Sequence, residues 1–188
     1  HLRLGIEPYF QRLSNVPVAI DSYTSTVNFE EEIFFNTALV NEGTGHNLGI
    51  DLTLEQFLHK GFYYLFTASV FDSKYTAMDG VERNTRFNRN YVINALAGKE
   101  WKVGKDDNNL LSANIRLNYM GGLRKDPLNK AASLAAKEAI YEETQGNKAF
   151  EKRFEDQPIV SFTISYRRNK PTHASIWSLQ VINALKTD

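Results

Sequence analysis

The sequence predicts an all-β chain of antiparallel, up-and-down strands, the pattern of a transmembrane β-barrel wall. Three observations predict it. Apolar and polar residues alternate over runs of about ten residues, the period-two mark of strands with one apolar face. Tight turns alternate with long polar connections, as in outer-membrane barrels with short turns at one end and long loops at the other. Aromatic residues make up 12% of the 188 residues, and those on apolar faces gather towards strand ends, where two interfacial belts belong.

The first strand is expected over Leu2–Leu13, with Leu2, Leu4, Ile6 and Phe10 opposite Arg3, Glu7 and Gln11. A long connection over Ser14–Gly45 carries Asn15, Pro17, Asp21 and the acidic run Glu30-Glu31-Glu32. The second strand, His46–Leu58, sets Leu48, Ile50, Leu52 and Leu54 against Asn47, Asp51, Thr53 and Glu55. A tight Lys60-Gly61 turn leads to the third, Phe62–Tyr75, with Phe62, Tyr64, Phe66, Ala68 and Val70 aligned. A loop through Asp79-Gly80 and Asn84 follows.

The fourth strand, Asn90–Val103, alternates less sharply. Placing Tyr91, Ile93, Ala95 and Ala97 on the apolar face lets Asn94 and Glu100 share the polar one. After the Gly104–Asn109 turn, the fifth strand, Leu110–Gly121, opposes Leu111, Ala113, Ile115, Leu117 and Tyr119 to Ser112, Asn114, Arg116 and Asn118. The longest connection, Gly122–Pro158, has an Ala-rich middle at Lys130–Glu143 that favours a short helix by propensity. The sixth strand, Ile159–Arg168, and the seventh, Ser175–Leu185, are joined through Asn169-Lys170-Pro171. Near the tight turns the apolar face carries Phe62, Tyr64, Trp101, Tyr166 and Trp177; near the long loops it carries Phe10 and Tyr119.

Composition narrows the function classes. Lysine plus arginine balance aspartate plus glutamate at 22 each, so no basic excess points to nucleic acid. The absence of cysteine excludes disulfides, thiolate catalysis and thiolate metal sites. No apolar run reaches the roughly 18 residues of a membrane helix, but a barrel strand crosses with about 9–11 tilted residues. The chain opens His1-Leu2-Arg3-Leu4, already in strand rhythm and without an initiator methionine, so a removed upstream segment is expected.

Motifs of chemistry are sparse. His1, His46, His59 and His173 are scattered, and His46 near Asp51 reads as an ordinary polar contact in preference to a metal site. Gly43-Thr44-Gly45 is followed by a strand and no Lys-Ser/Thr, so it is no phosphate loop. No nucleophile elbow or ordered triad is found. Neither enzyme activity nor a cofactor or metal is expected. The loop arginines Arg83, Arg86, Arg89 and Arg124 form the candidate ligand-binding set for carboxylate or phosphate groups. Their competing reading is solvated loop charge or contact with lipid head groups. Strand residues Arg3, Glu7, Asp51, Glu55, Asn114 and Arg116 are the candidate lumen lining.

A resemblance adds to this reading. Val40-Asn41-Glu42-Gly43-Thr44-Gly45-His46-Asn47-Leu48-Gly49-Ile50-Asp51-Leu52-Thr53-Leu54-Glu55 resembles a passage of the TonB-dependent outer-membrane receptors of Bacteroidetes-type bacteria. So do Lys60-Gly61-Phe62-Tyr63-Tyr64, the run from Ser69 to Tyr75, the run from Arg83 to Val92, and Ala97-Gly98-Lys99-Glu100-Trp101. Ile6-Glu7-Pro8-Tyr9 and Leu13-Ser14-Asn15-Val16-Pro17-Val18 look similar too, so the likeness covers most of the chain. Two stretches depart from it. Arg89 stands where relatives tend to carry glycine, and Leu123-Arg124-Lys125-Asp126-Pro127-Leu128 replaces an Arg-Arg-Tyr-Thr-Pro-Ile type of run.

The resemblance implies a part, residues 1–188, of a receptor barrel of about 22 strands, with the plug, the earlier strands and the last strands outside it. It implies energised uptake of a nutrient, such as a ferric chelate or an oligosaccharide, across the outer membrane of a Gram-negative bacterium. The implied partners are outer-membrane lipid, the TonB energy-coupling complex acting through the plug, a small-molecule nutrient and, at the outer surface, a lipoprotein. The alternatives from other classes are a soluble β-rich ligand-binding module with no transport role and an outer-membrane enzyme.

Overall fold

Strand rhythm governs the structure, a computed structural model that describes residues 2–29, 38–126, 128–137, 139–141 and 149–186. The strands are β1 (Leu2–Ala19), β2 (Leu39–His59), β3 (Phe62–Thr76), β4 (Glu82–Asn84), β5 (Tyr91–Val103), β6 (Asn109–Met120), β7 (Arg124–Lys125), β8 (Lys152–Arg153), β9 (Gln157–Asn169) and β10 (Ala174–Val181). One helix, α1 (Lys130–Ala136), lies between β7 and β8. Seven long strands form an antiparallel sheet in the order β1-β2-β3-β5-β6-β9-β10, with β4 against β3, and β7 pairs with β8 apart from it. Among the described residues the sheet does not close on itself: β1 pairs only with β2, and β10 only with β9.

The tight turns all lie at one end. Between β2 and β3, Lys60 and Gly61 both take positive φ, 50° and 78°, as a two-residue hairpin of matching twist requires. The β5–β6 turn runs through Gly104 and the 3-10 segment Lys105–Asp107. The β9–β10 turn closes with Lys170 N donating to His173 O at 2.8 Å. At the opposite end lie the long connections and nearly all the burial. Val16, Val18, Tyr75 and Ala77 form the buried apolar cluster, with Leu13, Val27, Val40 and Phe150 packed against it.

Several boundaries differ from expectation, each for a local reason. β1 continues past Leu13 to Ala19 because two register shifts, at Leu13/Val16 and Val16/Val18, absorb Asn15 and Pro17 while pairing with β2 resumes at Val18↔Val40. Proline, lacking an N–H, is tolerated in strands at such irregularities. β2 correspondingly begins at Leu39, within the expected loop. β10 ends at Val181, before the expected Leu185. The helix expected over residues 130–143 is present only as Lys130–Ala136, started by the Asn129 side chain accepting from Ala132 N and stopped at Lys137 with φ 59°. Residues 138 and 142–143 of that stretch lie outside the described residues, as does Glu30-Glu31-Glu32.

Candidate functional site

Register decides which side chains share a face. Across the sheet, Leu4, Leu54, Phe66, Ala95, Leu117 and Val160 fall in one row. The neighbouring row on that face runs Tyr64, Ala97, Ile115, Phe162 and Val181. Nothing among the described residues covers this face: Leu4 is 63% exposed, Ile115 53% and Leu179 63%. The assignment of Tyr91, Ile93, Ala95 and Ala97 to the apolar face holds, since they pair with Val70, Ala68, Phe66 and Tyr64.

Both rims of the apolar face are aromatic. Towards the tight turns, the Tyr166 and Trp177 rings stack with centroids 6.0 Å apart, and Lys99 Nζ sits 5.6 Å from the Trp101 ring centre. Towards the long loops, Tyr91 and Tyr119 lie 5.7 Å apart and both donate to the Asp156 carboxylate. Charged residues not read from the sequence also stand on this face: Lys99 opposite Phe62, Asp72 opposite Leu48, Arg12 and Lys74 on either side of His46, and Arg168 opposite Ser175. They keep to its two rims, where a long side chain reaches water or a carboxylate finds donors; Asp72 accepts from Asn88 Nδ2 at 2.7 Å.

The opposite face is polar and cross-linked. Gln11, Asn47, Ser73 and Thr85 form a ladder of hydrogen bonds of 2.6–2.9 Å, and Thr67, Asn94 and Asn118 form another. The structure places all six lumen candidates on this face. Arg3 pairs with Glu55 at 3.8 Å, Glu7 stands opposite Asp51, and Asp51 accepts from Ser69 at 2.5 Å. Arg116 pairs across from Leu96 and Asn114 from Gly98.

Two glycines here are covered by tyrosine rings: Tyr9 over Gly49, and Tyr63 over Gly98, each from the directly opposite position. An added side chain at Gly98 would occupy the Tyr63 ring position. Gly98→Val therefore displaces the ring and lowers stability by about 1–3 kcal/mol, read as a shift in the urea midpoint against Gly98→Ala as the milder step.

The long connections fold back into a cap over the loop ends of β1, β2 and β3. Its central group is Tyr75, 1% exposed, whose hydroxyl donates to Tyr23 O at 2.7 Å. Tyr23 in turn donates to Asp126 Oδ2 at 3.0 Å, and Asp126 Oδ1 accepts from Phe150 N at 2.9 Å. Burial, and then the Asp126 charge, push the Tyr23 hydroxyl up to about 12, so it remains a donor at any ordinary pH.

The four candidate arginines do not converge on one point. Arg83 is buried, clamped by both oxygens of Asp79, and lies 5.5 Å from the Tyr23 ring centre. Arg89 reaches Gly121 O and Gln157. Arg124 holds Asn88 O, Asn90, Phe150 O and Glu151 O, tying three loops together. Arg86 has no hydrogen bond or ion pair to its guanidinium among the described residues; its backbone N–H donates to Asn28 Oδ1 at 2.9 Å and its carbonyl accepts from Arg124 N at 2.9 Å. Arg86 and Arg124 line the same cavity, of about 460 Å³, under the cap.

The Arg83 pairing holds the Asp79 carboxyl below its ordinary value. A carboxyl whose value falls on folding stabilises the folded state above its unfolded value of about 4, and that contribution fades as pH drops through the lowered value. Asp79→Asn should thus loosen the cap above about pH 4 and match the parent once the parent's Asp79 is protonated; protease resistance of the loops against pH reads this out.

Tyr23, Asn28 and Asp126 escaped the sequence reading. Tyr23 and Asp126 stand 103 positions apart, and neither has a local signal beyond lying in a polar stretch. No group of three or more histidine, cysteine, aspartate or glutamate side chains suited to a metal occurs among the described residues. No described helix is long and apolar enough to cross a membrane, which says nothing of strands. Comparison with protein-family models, with curated proteins and with solved structures finds no match.

Proposed function

We propose that this chain is part of the wall and outer cap of an outer-membrane β-barrel receptor for energised nutrient uptake, closed by strands outside the chain. One observation carries the reading: an apolar face continuous over seven strands, bare of protein among the described residues and rimmed by aromatic rings at both ends. Along β6 it runs from Leu111 to Tyr119, about 27 Å at ~3.4 Å per residue. At the usual tilt that projects to about 21 Å, near the ~25 Å apolar band of such barrels. Arg3, Glu7, Asp51, Glu55, Asn114 and Arg116, on the other face, then line the lumen. The tight turns face the periplasm and the cap faces outward. The TonB complex acts through a plug outside this chain, and an oligosaccharide or ferric chelate remains the proposed class of cargo.

A soluble β-rich binding module would need a second layer over the apolar face, because a bare patch of this extent drives association in water. Without detergent the purified chain is expected to aggregate, and after refolding from urea it should float with phospholipid vesicles. A monodisperse monomer in plain buffer would defeat the membrane reading. Transport is tested in the producing cell. Deleting the gene should lower growth on one nutrient among a panel of ferric chelates and oligosaccharides, and equal growth on all of them would sink the uptake role.

A further inference from the structure

We propose that the cavity under the cap is a binding site for a small aromatic acid, a flat apolar ring system bearing a carboxylate. Its volume, about 460 Å³, lies in the range of small-molecule sites, ~300–1,000 Å³. Its walls include Tyr23, Phe29, Tyr141, Phe150 and Phe154, and such rings favour a flat apolar body through offset or edge contacts.

The polar groups select the charge. The charged residues of the wall are Arg86, Arg124, Lys125 and Asp126, three cations to one carboxylate, and each Asp126 oxygen already accepts a bond, from the Tyr23 hydroxyl and from Phe150 N. The available groups are donors. The Arg86 guanidinium lines the cavity with no partner among the described residues. Lys125 Nζ, 4.2 Å from the Phe154 ring centre, adds positive field at the wall. A carboxylate satisfies an unpaired guanidinium with charge-assisted, two-pronged bonds. A neutral sugar brings as many donors as acceptors and fits this set less well.

The cavity is built from loops beyond the apolar band, so the site stands or falls separately from the membrane assignment. The test is calorimetric titration of the whole chain in lipid nanodiscs with 6-hydroxy-2-naphthoate, beside its neutral analogue 6-hydroxy-2-naphthalenemethanol. The naphthoate is expected to bind more tightly than the alcohol. Arg86→Gln should weaken the naphthoate at least ~tenfold and leave the alcohol within about twofold. Arg86→Lys, which keeps the charge in a less fork-like donor, should keep most of the affinity, and Lys105→Gln at a distant tight turn should change nothing. Equal affinity of the Arg86→Gln variant for the naphthoate, equal binding of acid and alcohol by the parent, or no binding of either at millimolar concentration would each overturn the proposal.

Discussion

Ile115→Arg, at the middle of the apolar run of β6, is expected to lower the stability of the bilayer-inserted chain by about 2–4 kcal/mol. Asn114→Arg, one residue away on the polar face, should change it by less than about 1 kcal/mol. The contrast follows from register alone. Ile115 stands between Ala97 and Phe162 in a row of apolar side chains, whereas Asn114 stands between Gly98 and Thr163. In lipid, a mid-plane guanidinium loses its water and must reach for the interface. In water the expectation changes: an exposed isoleucine, 53% accessible, exchanges for arginine at little cost. Urea titration of each variant refolded into thin phospholipid bilayers measures the difference, and equal midpoints for the two would remove the lipid from the explanation.

Tyr75→Ala should cost about 3–5 kcal/mol of local stability in the cap, the second large effect. The ring is 1% exposed and packs in the cluster with Val16, Val18 and Ala77, with the Phe150 ring 6.5 Å away. Its hydroxyl also holds Tyr23 O. Tyr75→Phe keeps the packing and loses only that bond, for about 1 kcal/mol. Hydrogen exchange should locate the damage: faster exchange for Ala19 N and Thr85 N at the loop ends, with the ladder between β5 and β6 still protected. Uniform loosening of the whole sheet would mean that cap and wall are one cooperative unit, against the division drawn above.

The strands were legible because each carries one apolar face, and period two shows directly in the order of residues. The fourth strand was harder, since Val92, Leu96 and Gly98 blur its alternation; the preference for Asn94 and Glu100 sharing a face resolved it. The extension of β1 was not legible, because Asn15-Val16-Pro17 carries turn residues and only pairing with β2 shows that bulges absorb them. β4, β7 and β8, of two or three residues, are too short to display any period. The arginines were legible as a type and not as a site. Arg83, on β4, finds Asp79 four positions back in the turn before it, a spacing open to sequence reading. Arg89 depends on Gly121 O and Gln157, 32 and 68 positions away, and such partners exist only once the sheet has brought the loops together. What singles out Arg86 is that its three companions are spent on holding the cap.

The chain contains no cysteine, so single-cysteine spin labels report one site at a time. A scan of β6 from Leu111 to Tyr119 in phospholipid bilayers, comparing collision with oxygen and with a water-soluble nickel complex, tests the two-faced wall most directly. A two-faced wall requires strict alternation. Labels at Leu111, Ala113, Ile115, Leu117 and Tyr119 should meet oxygen from the lipid, deepest at Ile115, while labels at Ser112, Asn114, Arg116 and Asn118 should meet the nickel complex. Nickel access at every position, or access without a period of two, would contradict it.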